Sequence, residues 1–316
     1  MSEDDEMLAV HAAELYYDEN KTQDEIGALL NLTRWKVGRL LAEARESGII
    51  RIEIVHPRAR RLSLERELRT RMGLRDAIVV PSTDDIDPDE LRSRVAQAAA
   101  DYLSGLRPVP RTLGISWGRT LHDIAGHLQT GWATGVDVVQ INGGVSLNKR
   151  ASSAANTAVT IAQKGGGTAN LLPSPAILEH EATRLAIESD RTVAGVLELG
   201  RAASVYLYSA GLVSESSVLV DSGYLSRDDV RGLVAKGAVG DVVGRYVDAD
   251  GNVVDPSLDR RTVGIRLDEL RDAAIAIAVI AGPDKHDICR TVVISGLCSV
   301  LVTDEGNARY ILGSSE

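Results

Sequence analysis

Short apolar segments alternate with helical segments from Asp76 onward, and this alternation constrains the fold more than any other feature of the sequence. A helix is predicted at 87–103. The predicted strands are 77–80, 111–115, 136–141, 168–172 and 203–208, and the pattern continues through 274–281 and 291–303. Because parallel strands are joined by helical crossovers, we expect a mostly parallel sheet covered by helices, a Rossmann-like α/β domain. Ligands should then bind at the carboxyl ends of the strands.

The stretch from Thr22 to Gly48 predicts two short helices joined by a tight turn. Thr22 and Glu25 have the spacing of a capping box, so the first helix should begin there. Its predicted apolar stripe comprises Ile26, Leu29 and Leu30. Asn31, which tolerates left-handed geometry, should make the turn, and Thr33 is a second N-cap candidate. The pattern is typical of a helix-turn-helix.

The second helix of this pair has the features of a recognition helix. Its predicted buried stripe is Val37, Leu40, Leu41 and Ala44. The outward face of its first half would then meet base edges in the major groove. We predict DNA contacts from Thr22, Thr33, Arg34, Trp35, Lys36 and Arg39. Residues 49–54 alternate like a short strand, which suggests a winged version of the motif.

The distribution of charge supports DNA binding, although the net charge of −10 alone argues against it. Residues 1–32 carry nine acidic side chains and one Lys, whereas residues 33–75 carry twelve Lys or Arg and five Glu. Positive charge is thus concentrated on and just after the predicted recognition helix, where it can exchange counterions with phosphates.

The length of 316 residues favours two domains. We predict a winged helix-turn-helix DNA-binding domain at 1–56, a linker helix at 57–75, and an effector-binding and oligomerisation domain at 76–316. The linker helix carries Leu64, Leu68 and Met72 at i+4 intervals. The sequence leaves two roles open for this helix. It could dimerise, or it could be a solvated helix that lies on the second domain.

The sequence argues against a metal site and against a membrane protein. Cys289 and Cys298 lie among apolar residues without a metal-binding spacing, so we predict core cysteines, no metal site and no cofactor. We find no apolar run of transmembrane length and no N-terminal signal sequence. We therefore expect a cytoplasmic protein without a membrane partner.

Gly114–Leu121, with the sequence GISWGRTL, is the first motif that carries chemistry. It follows a predicted strand and opens a helix. Ser116, Thr120, Arg119 and the backbone N–H groups can bind an anion at the positive end of that helix, so a phosphate fits here. A tight turn without a ligand is the alternative.

The same residues match G-x-S-x-G, the nucleophile elbow of serine hydrolases. A catalytic triad would need an acid and then a histidine later in the chain, and His180 or His286 could serve. No oxyanion segment of the HGGG type precedes the motif, and no residue marks the acid. We therefore predict a non-enzyme without catalytic residues; a serine hydrolase or a sugar-phosphate isomerase-like enzyme is the alternative.

Two further loops carry candidate ligand contacts. Asp241 follows two glycines in GAVGD and could accept hydrogen bonds from ligand hydroxyls. Lys285 follows an apolar strand in AGPDK and could meet a phosphate as a point charge. Both residues would complete an effector pocket.

The ordered series of TRWKVGRLLAEARESGII, GISWGRTL, INGG, LLPSPA, GAVGD, AGPDK and LVTDEGNA resembles the SorC family of bacterial sugar-binding transcriptional regulators. The resemblance covers about Leu8 to Leu312. It implies a DeoR-like regulator of a carbohydrate catabolic operon, whose effector domain is similar to sugar-phosphate isomerases. It also implies palindromic double-stranded operator DNA, a phosphorylated sugar effector and a homo-oligomer, either dimer or tetramer.

Carried over by motif, the resemblance implies which residues form the effector site. Ser116, Gly118, Arg119 and Thr120 would line the phosphate loop, and Asn142, Gly143 and Gly144 would lie beside the sugar. Asp241 and Lys285 would complete the pocket. The chain departs from the family pattern at Trp35 and Gly38, so the operator sequence does not carry over.

Overall fold

The computed structural model describes residues 3–50, 60–83, 85–145 and 154–313. The chain divides into two compact units, Met1–His56 and Pro57–Glu316. Each unit has its own buried apolar core.

The smaller unit is helical. Its elements are α1 (Glu3–Ala13), a π-helical turn (Glu14–Asp18), α2 (Gln23–Leu30) and α3 (Arg34–Glu46). The capping box predicted at Thr22 is present, because its hydroxyl accepts from the Glu25 N–H and the Glu25 carboxylate accepts from the Thr22 N–H. Asn31 adopts the left-handed conformation at φ 56°, and Thr33 caps α3. The predicted turn and both helix starts are confirmed.

The core of this unit lies between α1, α2 and α3. Its buried side chains are Ala9, Ala12, Ile26, Val37, Leu40, Leu41 and Ala44. The stripe predicted for α3 is therefore confirmed. Leu29 was wrongly assigned to the stripe of α2, because its side chain is 61% exposed while Ile26 is fully buried. The strand predicted for the wing lies largely outside the described residues, and Ile49 and Ile50 form a bend.

The larger unit contains a seven-stranded sheet in which every pairing is parallel, with the strand order β1-β10-β9-β5-β2-β3-β4. A second, three-stranded antiparallel sheet has the order β6-β7-β8. The strands are β1 (Asp76–Val80), β2 (Thr112–Ile115), β3 (Asp137–Gln140), β4 (Thr168–Asn170), β5 (Val205–Tyr208), β6 (Ala210–Gly211), β7 (Gly240–Val242), β8 (Arg245–Val247), β9 (Ala276–Ile280) and β10 (Val300–Asp304). The predicted parallel α/β fold is confirmed.

Helices connect these strands and cover the sheet. They are α4 (Leu62–Met72), α5 (Pro88–Gly105), α6 (Arg119–His127), α7 (Ala154–Lys164), α8 (Glu181–Glu188), α9 (Arg191–Arg201), α10 (Val218–Asp221), α11 (Arg227–Ala235), α12 (Pro256–Asp259), α13 (Leu267–Arg271), α14 (His286–Ile294) and α15 (Glu305–Leu312). The strand predicted over 291–303 is wrong in its first part. Thr291–Ile294 end α14, because the apolar residues there continue a helical stripe, and only Val300 onward pairs in the sheet.

The helix predicted as a linker is an integral part of the larger unit. Leu64 and Leu68 of α4 are buried in the same apolar cluster as Ala77 and Val79 of β1. The buried carboxylate of Glu65 accepts a 3.0 Å hydrogen bond from the Val79 N–H. The structure shows that this helix packs on the larger unit, and dimerisation through its outer face stays a prediction.

The connections of the large sheet create a crevice at its centre. From β2 the chain adds β3 and then β4 on one side, and it returns through α8 and α9 to place β5 on the other side of β2. Strand order reverses at this point. In open α/β sheets such a reversal leaves a crevice beyond the carboxyl ends of the two strands, where ligands bind.

Candidate functional sites

The first half of α3 presents the predicted DNA-binding side chains to solvent. Arg34 and Arg39 have side chains that are 66% and 63% exposed, whereas Lys36 is only 29% exposed. Trp35 is 88% exposed, which is unusual for the largest apolar side chain. Thr33 is occupied as the N-cap, since its hydroxyl accepts from the Lys36 N–H.

Each cation in this part of α3 has an acidic neighbour within the unit. Lys36 lies 3.1 Å from Asp5 of α1. Arg34 lies 3.5 Å from Asp24, and Arg39 lies 3.4 Å from Glu43, one turn along the helix. Exposed pairs of this kind are weak, about 0.2–1 kcal/mol, so a phosphate can replace the acidic partner.

Thr22 has a structural role in the same unit. Besides capping α2, its hydroxyl donates a 2.8 Å hydrogen bond to the Glu25 carboxylate. The N–H of Thr22 donates to the same carboxylate oxygen. These bonds hold the pKa of Glu25 below its usual value. Thr22 would have to give up one of these hydrogen bonds to contact DNA. The DNA contact of Thr22 stays a prediction.

The loop after β2 opens the larger unit's candidate effector site. Ser116 and Thr120 are buried, while Gly118 and Arg119 are exposed. Gly118 is the N-cap of α6, with φ 133°, a conformation that side chains disfavour, and it makes no side-chain cap. The first backbone N–H groups of α6 therefore have no side-chain acceptor at the cap, and such a helix end attracts anions.

The segment Asn142-Gly143-Gly144 follows β3, the neighbour of β2. Asn142 pairs with Gly264, and Gly144 pairs with Pro175. A Cβ at Gly143 would overlap the backbone of Pro175, so no larger residue fits there. The Asn142 side-chain oxygen is buried and has no hydrogen-bond partner among the described residues. An unpartnered buried acceptor is costly, and a ligand hydroxyl would satisfy it.

Two aromatic side chains attach the surrounding loops to this segment. The Trp117 indole N–H donates to the Gly143 carbonyl oxygen at 2.9 Å. The Tyr224 hydroxyl donates to the Gly144 carbonyl oxygen at 3.2 Å. Trp117 and Tyr224 also pack against one apolar cluster that includes Leu219 of α10 and Leu233 of α11. The loop after β2, the Asn-Gly-Gly segment and the α10–α11 segment are thereby joined.

Asp241 of β7 has an environment that favours its neutral form. Its Oδ2 accepts a 3.0 Å hydrogen bond from the Gly244 N–H, and Gly211 leaves space for the carboxylate where a Cβ would overlap it. Burial raises the pKa of Asp241 to about 6, against the lowering effects of the Gly244 N–H and the Lys285 charge. At neutral pH the carboxylate is thus a partly desolvated acceptor.

Lys285 approaches the same place from the loop after β9. Its Nζ donates a 2.8 Å hydrogen bond to the Ala210 carbonyl oxygen of β6. Burial lowers the pKa of Lys285; the charge of Asp241 raises it, and the charge of Arg119 lowers it. Because Gly211 of β6 pairs with Asp241 of β7, this hydrogen bond brings Lys285 close to Asp241, and the charge of Arg119 also acts on Lys285.

Sequence reasoning missed several residues that support the site. Gln140, Trp117, Tyr224 and Asp304 make contacts that fix its loops. The Gln140 amide donates to the Asn142 carbonyl oxygen at 2.9 Å, and Asp304 Oδ2 accepts from the Gly282 N–H at 2.8 Å. A polar residue at the end of an apolar strand was the available signal for Gln140 and Asp304. Tyr224 carried none.

The geometry does not assemble a hydrolase triad. The Ser116 hydroxyl donates to the carbonyl oxygen of Trp117 at 3.4 Å. His286 stacks on Tyr310 with a centroid distance of 4.9 Å, and His180 precedes α8. In the described ranges no hydrogen bond joins Ser116 to a histidine, and no cluster of His, Cys, Asp or Glu could hold a metal ion. Across those same residues, no helix has the length and apolarity to span a membrane.

Comparisons with known proteins agree with this arrangement. A family model described as a putative sugar-binding domain matches residues 56–313. The deoxyribonucleoside regulator of Bacillus subtilis is 30% identical over 312 residues, which cover 99% of both chains. The transcriptional regulator LsrR of Klebsiella pneumoniae is 28% identical, over 98% of this chain and 93% of the relative. The crystal structure of the full-length sorbitol operon regulator SorC from Klebsiella pneumoniae is 27% identical, with a TM-score of 0.73, and covers 98% of this chain and 100% of that one.

Proposed function

This chain belongs to the SorC family of sugar-binding transcriptional regulators, and from that premise we propose that a phosphorylated sugar controls its binding to operator DNA. The smaller unit would bind double-stranded DNA through α3. The larger unit would bind the effector and form a homo-oligomer, a dimer or tetramer that matches a palindromic operator. The relatives' names support a role in carbohydrate catabolism, and we place the protein in the cytoplasm, with the DNA.

The observation that carries the effector proposal is the approach of Lys285 to the strand that pairs with Asp241: its Nζ donates to the Ala210 carbonyl oxygen of β6, and the charge of Arg119, at the start of α6, acts on it. Two cations beside an uncapped helix N-terminus favour a dianionic phosphate. We assign the phosphate to Ser116, Gly118, Arg119, Thr120 and Lys285.

The rest of the site suits the hydroxyl groups of a sugar. The Asn142 side-chain oxygen is a buried acceptor that lacks a partner in the described structure. Asp241 offers a second acceptor. Gly144 lets the backbone approach the ligand closely because it carries no side chain, and Gly143 lets Pro175 pack against the same segment. We assign the sugar to Asn142, Gly143, Gly144 and Asp241.

We propose regulation by differential affinity and no catalysis. A sugar phosphate that binds one arrangement of the effector units more tightly shifts the population toward it, and DNA affinity changes with the population. Trp117 and Tyr224 supply a physical link, because they connect the proposed ligand loops to the α10–α11 segment. The relatives are named as regulators, and the Ser116 hydroxyl pairs with a backbone carbonyl.

The test is thermal unfolding of the purified protein with a panel of sugar phosphates, the matching free sugars and inorganic phosphate. A ligand that binds only the folded state raises the unfolding midpoint by mass action. We expect one sugar phosphate to raise it more than its free sugar does, and to be recovered unchanged after incubation. That ligand should also change the affinity of the protein for a DNA duplex selected from a randomised pool.

Lys285→Ala should abolish the shift, and Lys236→Ala is the matched control. Lys236 has an exposed side chain paired with Asp255 at 2.7 Å, and it is not among the residues assigned to the site. Unchanged effector affinity in Lys285→Ala would remove this residue from the site. Turnover of the sugar phosphate would contradict the proposal that the chain is a regulator without catalysis.

A further inference from the structure

Trp35 stands apart from the other residues at the start of α3. Its side chain is 88% exposed, the highest value among the large apolar residues of the described chain. The neighbouring cations all have acidic partners, whereas an exposed indole has no charge to compensate. Exposing so large an apolar surface costs free energy unless a partner covers it in the functional state.

The direction of Trp35 identifies which partner. An α-helix turns by about 100° per residue, so Trp35 lies within about 10° of the direction opposite the buried stripe of Val37, Leu40, Leu41 and Ala44. Arg39, at i+4, lies about 30° from that direction, while Arg34 and Lys36 lie roughly 90–110° to its sides. Trp35 therefore occupies the centre of the outward face, with cations around it.

We infer that Trp35 inserts into the major groove and packs its indole against the C5-methyl group of a thymine, so that it specifies a base while Arg34 and Arg39 contact phosphates. This inference rests on the proposed DNA binding through α3. Among groups on base edges in the major groove, the thymine methyl is the apolar one, and apolar side chains read it. The three cations around Trp35 favour DNA over an apolar protein partner, because a phosphate can replace each weak acidic partner.

Deoxyuridine tests this contact, because it lacks the methyl group and keeps every hydrogen-bonding group of thymine. The probe is a duplex selected from a randomised pool by the wild-type chain, in which each thymine is replaced in turn. Affinity is measured by fluorescence anisotropy for the wild type, Trp35→Ala and Trp35→Phe. Met7→Ala, which removes an apolar side chain that is 54% exposed on α1, is the matched control.

We expect one thymine whose replacement weakens wild-type binding by about fivefold, and the same replacement should have no effect on Trp35→Ala. Trp35→Ala should bind the unmodified duplex about tenfold more weakly with an unchanged salt dependence, because an apolar contact releases no counterions. Trp35→Phe should keep the preference for thymine. Met7→Ala should behave as the wild type.

Three results would overturn the inference. Trp35→Ala could retain the preference for thymine over deoxyuridine, or bind as tightly as the wild type. Replacement of each thymine in turn by deoxyuridine could also leave wild-type binding unchanged, which would mean that no thymine methyl group is contacted. In each case sequence-selective binding by the wild type would leave the proposed function intact. Failure of the wild type to enrich any duplex would overturn both the thymine contact and the proposed DNA binding.

Discussion

The Trp117 indole N–H donates a 2.9 Å hydrogen bond to the Gly143 carbonyl oxygen, and this bond joins the loop after β2 to the loop after β3. The two strands are adjacent and in register, Ile115 opposite Gln140. The bond therefore spans the edge of the crevice where the phosphate and sugar contacts are assigned. Removing this hydrogen bond separates two contributions of Trp117 to stability, that of its ring packing and that of its N–H donor.

Trp117→Phe keeps most of the ring and removes the donor. We expect a loss of about 1–3 kcal/mol in the free energy of unfolding, because the Gly143 carbonyl loses a partner. Effector affinity should fall about tenfold, since the Asn-Gly-Gly segment is no longer fixed. Urea unfolding and isothermal calorimetry with the stabilising sugar phosphate measure the two effects.

Trp132→Phe is the matched control for this change. Its indole N–H donates a 3.0 Å hydrogen bond to the Ile161 carbonyl oxygen, beneath α7. The free energy of unfolding should fall by a similar amount, whereas effector affinity should stay as in the wild type. Equal losses of affinity in both variants would mean that Trp117 acts only through global stability.

Gly143→Ala should destabilise the larger unit. The added Cβ would overlap the carbonyl group of Pro175, so the 173–176 segment would have to move. Overpacking of this kind costs about 1–3 kcal/mol. Urea unfolding measures the loss, and effector binding should be lost with it.

Gly126→Ala provides the opposite expectation. Gly126 lies in α6, and a Cβ there would meet nothing within 4 Å. The substitution should stabilise the unit by about 0.5–1 kcal/mol, because alanine loses less conformational entropy in a helix. If Gly143→Ala were as stable as the wild type, the close approach at Pro175 would not exist in solution.

Local signals in the sequence predicted the helix-turn-helix and most strands of the parallel sheet, because caps, stripes and strand ends are short-range features. The capping box at Thr22, the turn at Asn31 and the strands before Ser116 and Asn142 all follow from neighbouring residues. Leu29 was misassigned since i+3 spacing alone does not tell which edge of a narrow stripe faces the core.

Contacts between distant segments could not be predicted from the sequence. The antiparallel sheet β6-β7-β8 pairs Gly211 with Asp241, thirty residues on, and it brings Asp241 toward Lys285. The hydrogen bond from Tyr224 to Gly144 spans a still longer separation. Such pairs depend on the order of strands in the sheet, which no local pattern encodes.

Asp241→Asn should change the pH dependence of stability. Burial raises the pKa of Asp241 from its ordinary 3.8 to about 6 in the folded state, so the folded state holds this proton more tightly than the unfolded state. The stabilisation is fully present below about pH 4 and is lost as pH rises through about 6. Asparagine stays neutral and can still accept from the Gly244 N–H. The variant should therefore gain stability relative to the wild type between about pH 4 and 7, by at most about 3 kcal/mol.

Asp248→Asn should show the opposite trend. Burial raises the pKa of Asp248, but the N–H groups of Asn252 and Asp250 lower it more, so the net shift is downward. Stability from this carboxylate is present above the ordinary pKa and is lost as pH falls through the folded-state value. The variant should be less stable than the wild type near neutral pH and approach it in acid. Urea unfolding at several pH values distinguishes the two variants, and parallel curves for Asp241→Asn and the wild type would contradict the raised pKa.

Arg39→Ala should weaken DNA binding through charge alone. Arg39 is 63% exposed on the outward face of α3, and its Glu43 partner is readily exchanged for a phosphate. The slope of the logarithm of affinity against the logarithm of salt concentration should fall by about one, because one phosphate contact releases about one counterion. Lys36→Ala should also weaken binding, although Lys36 must first leave Asp5.

Arg45→Ala tests whether the position of the charge matters. Arg45 is exposed in the last turn of α3, beyond the half of the helix assigned to DNA. Arg45→Ala removes one positive charge, as Arg39→Ala does. We expect a salt slope close to that of the wild type, and unchanged effector affinity in all three variants. An identical slope change in Arg39→Ala and Arg45→Ala would show that only net charge contributes, and it would remove Arg39 from the recognition surface.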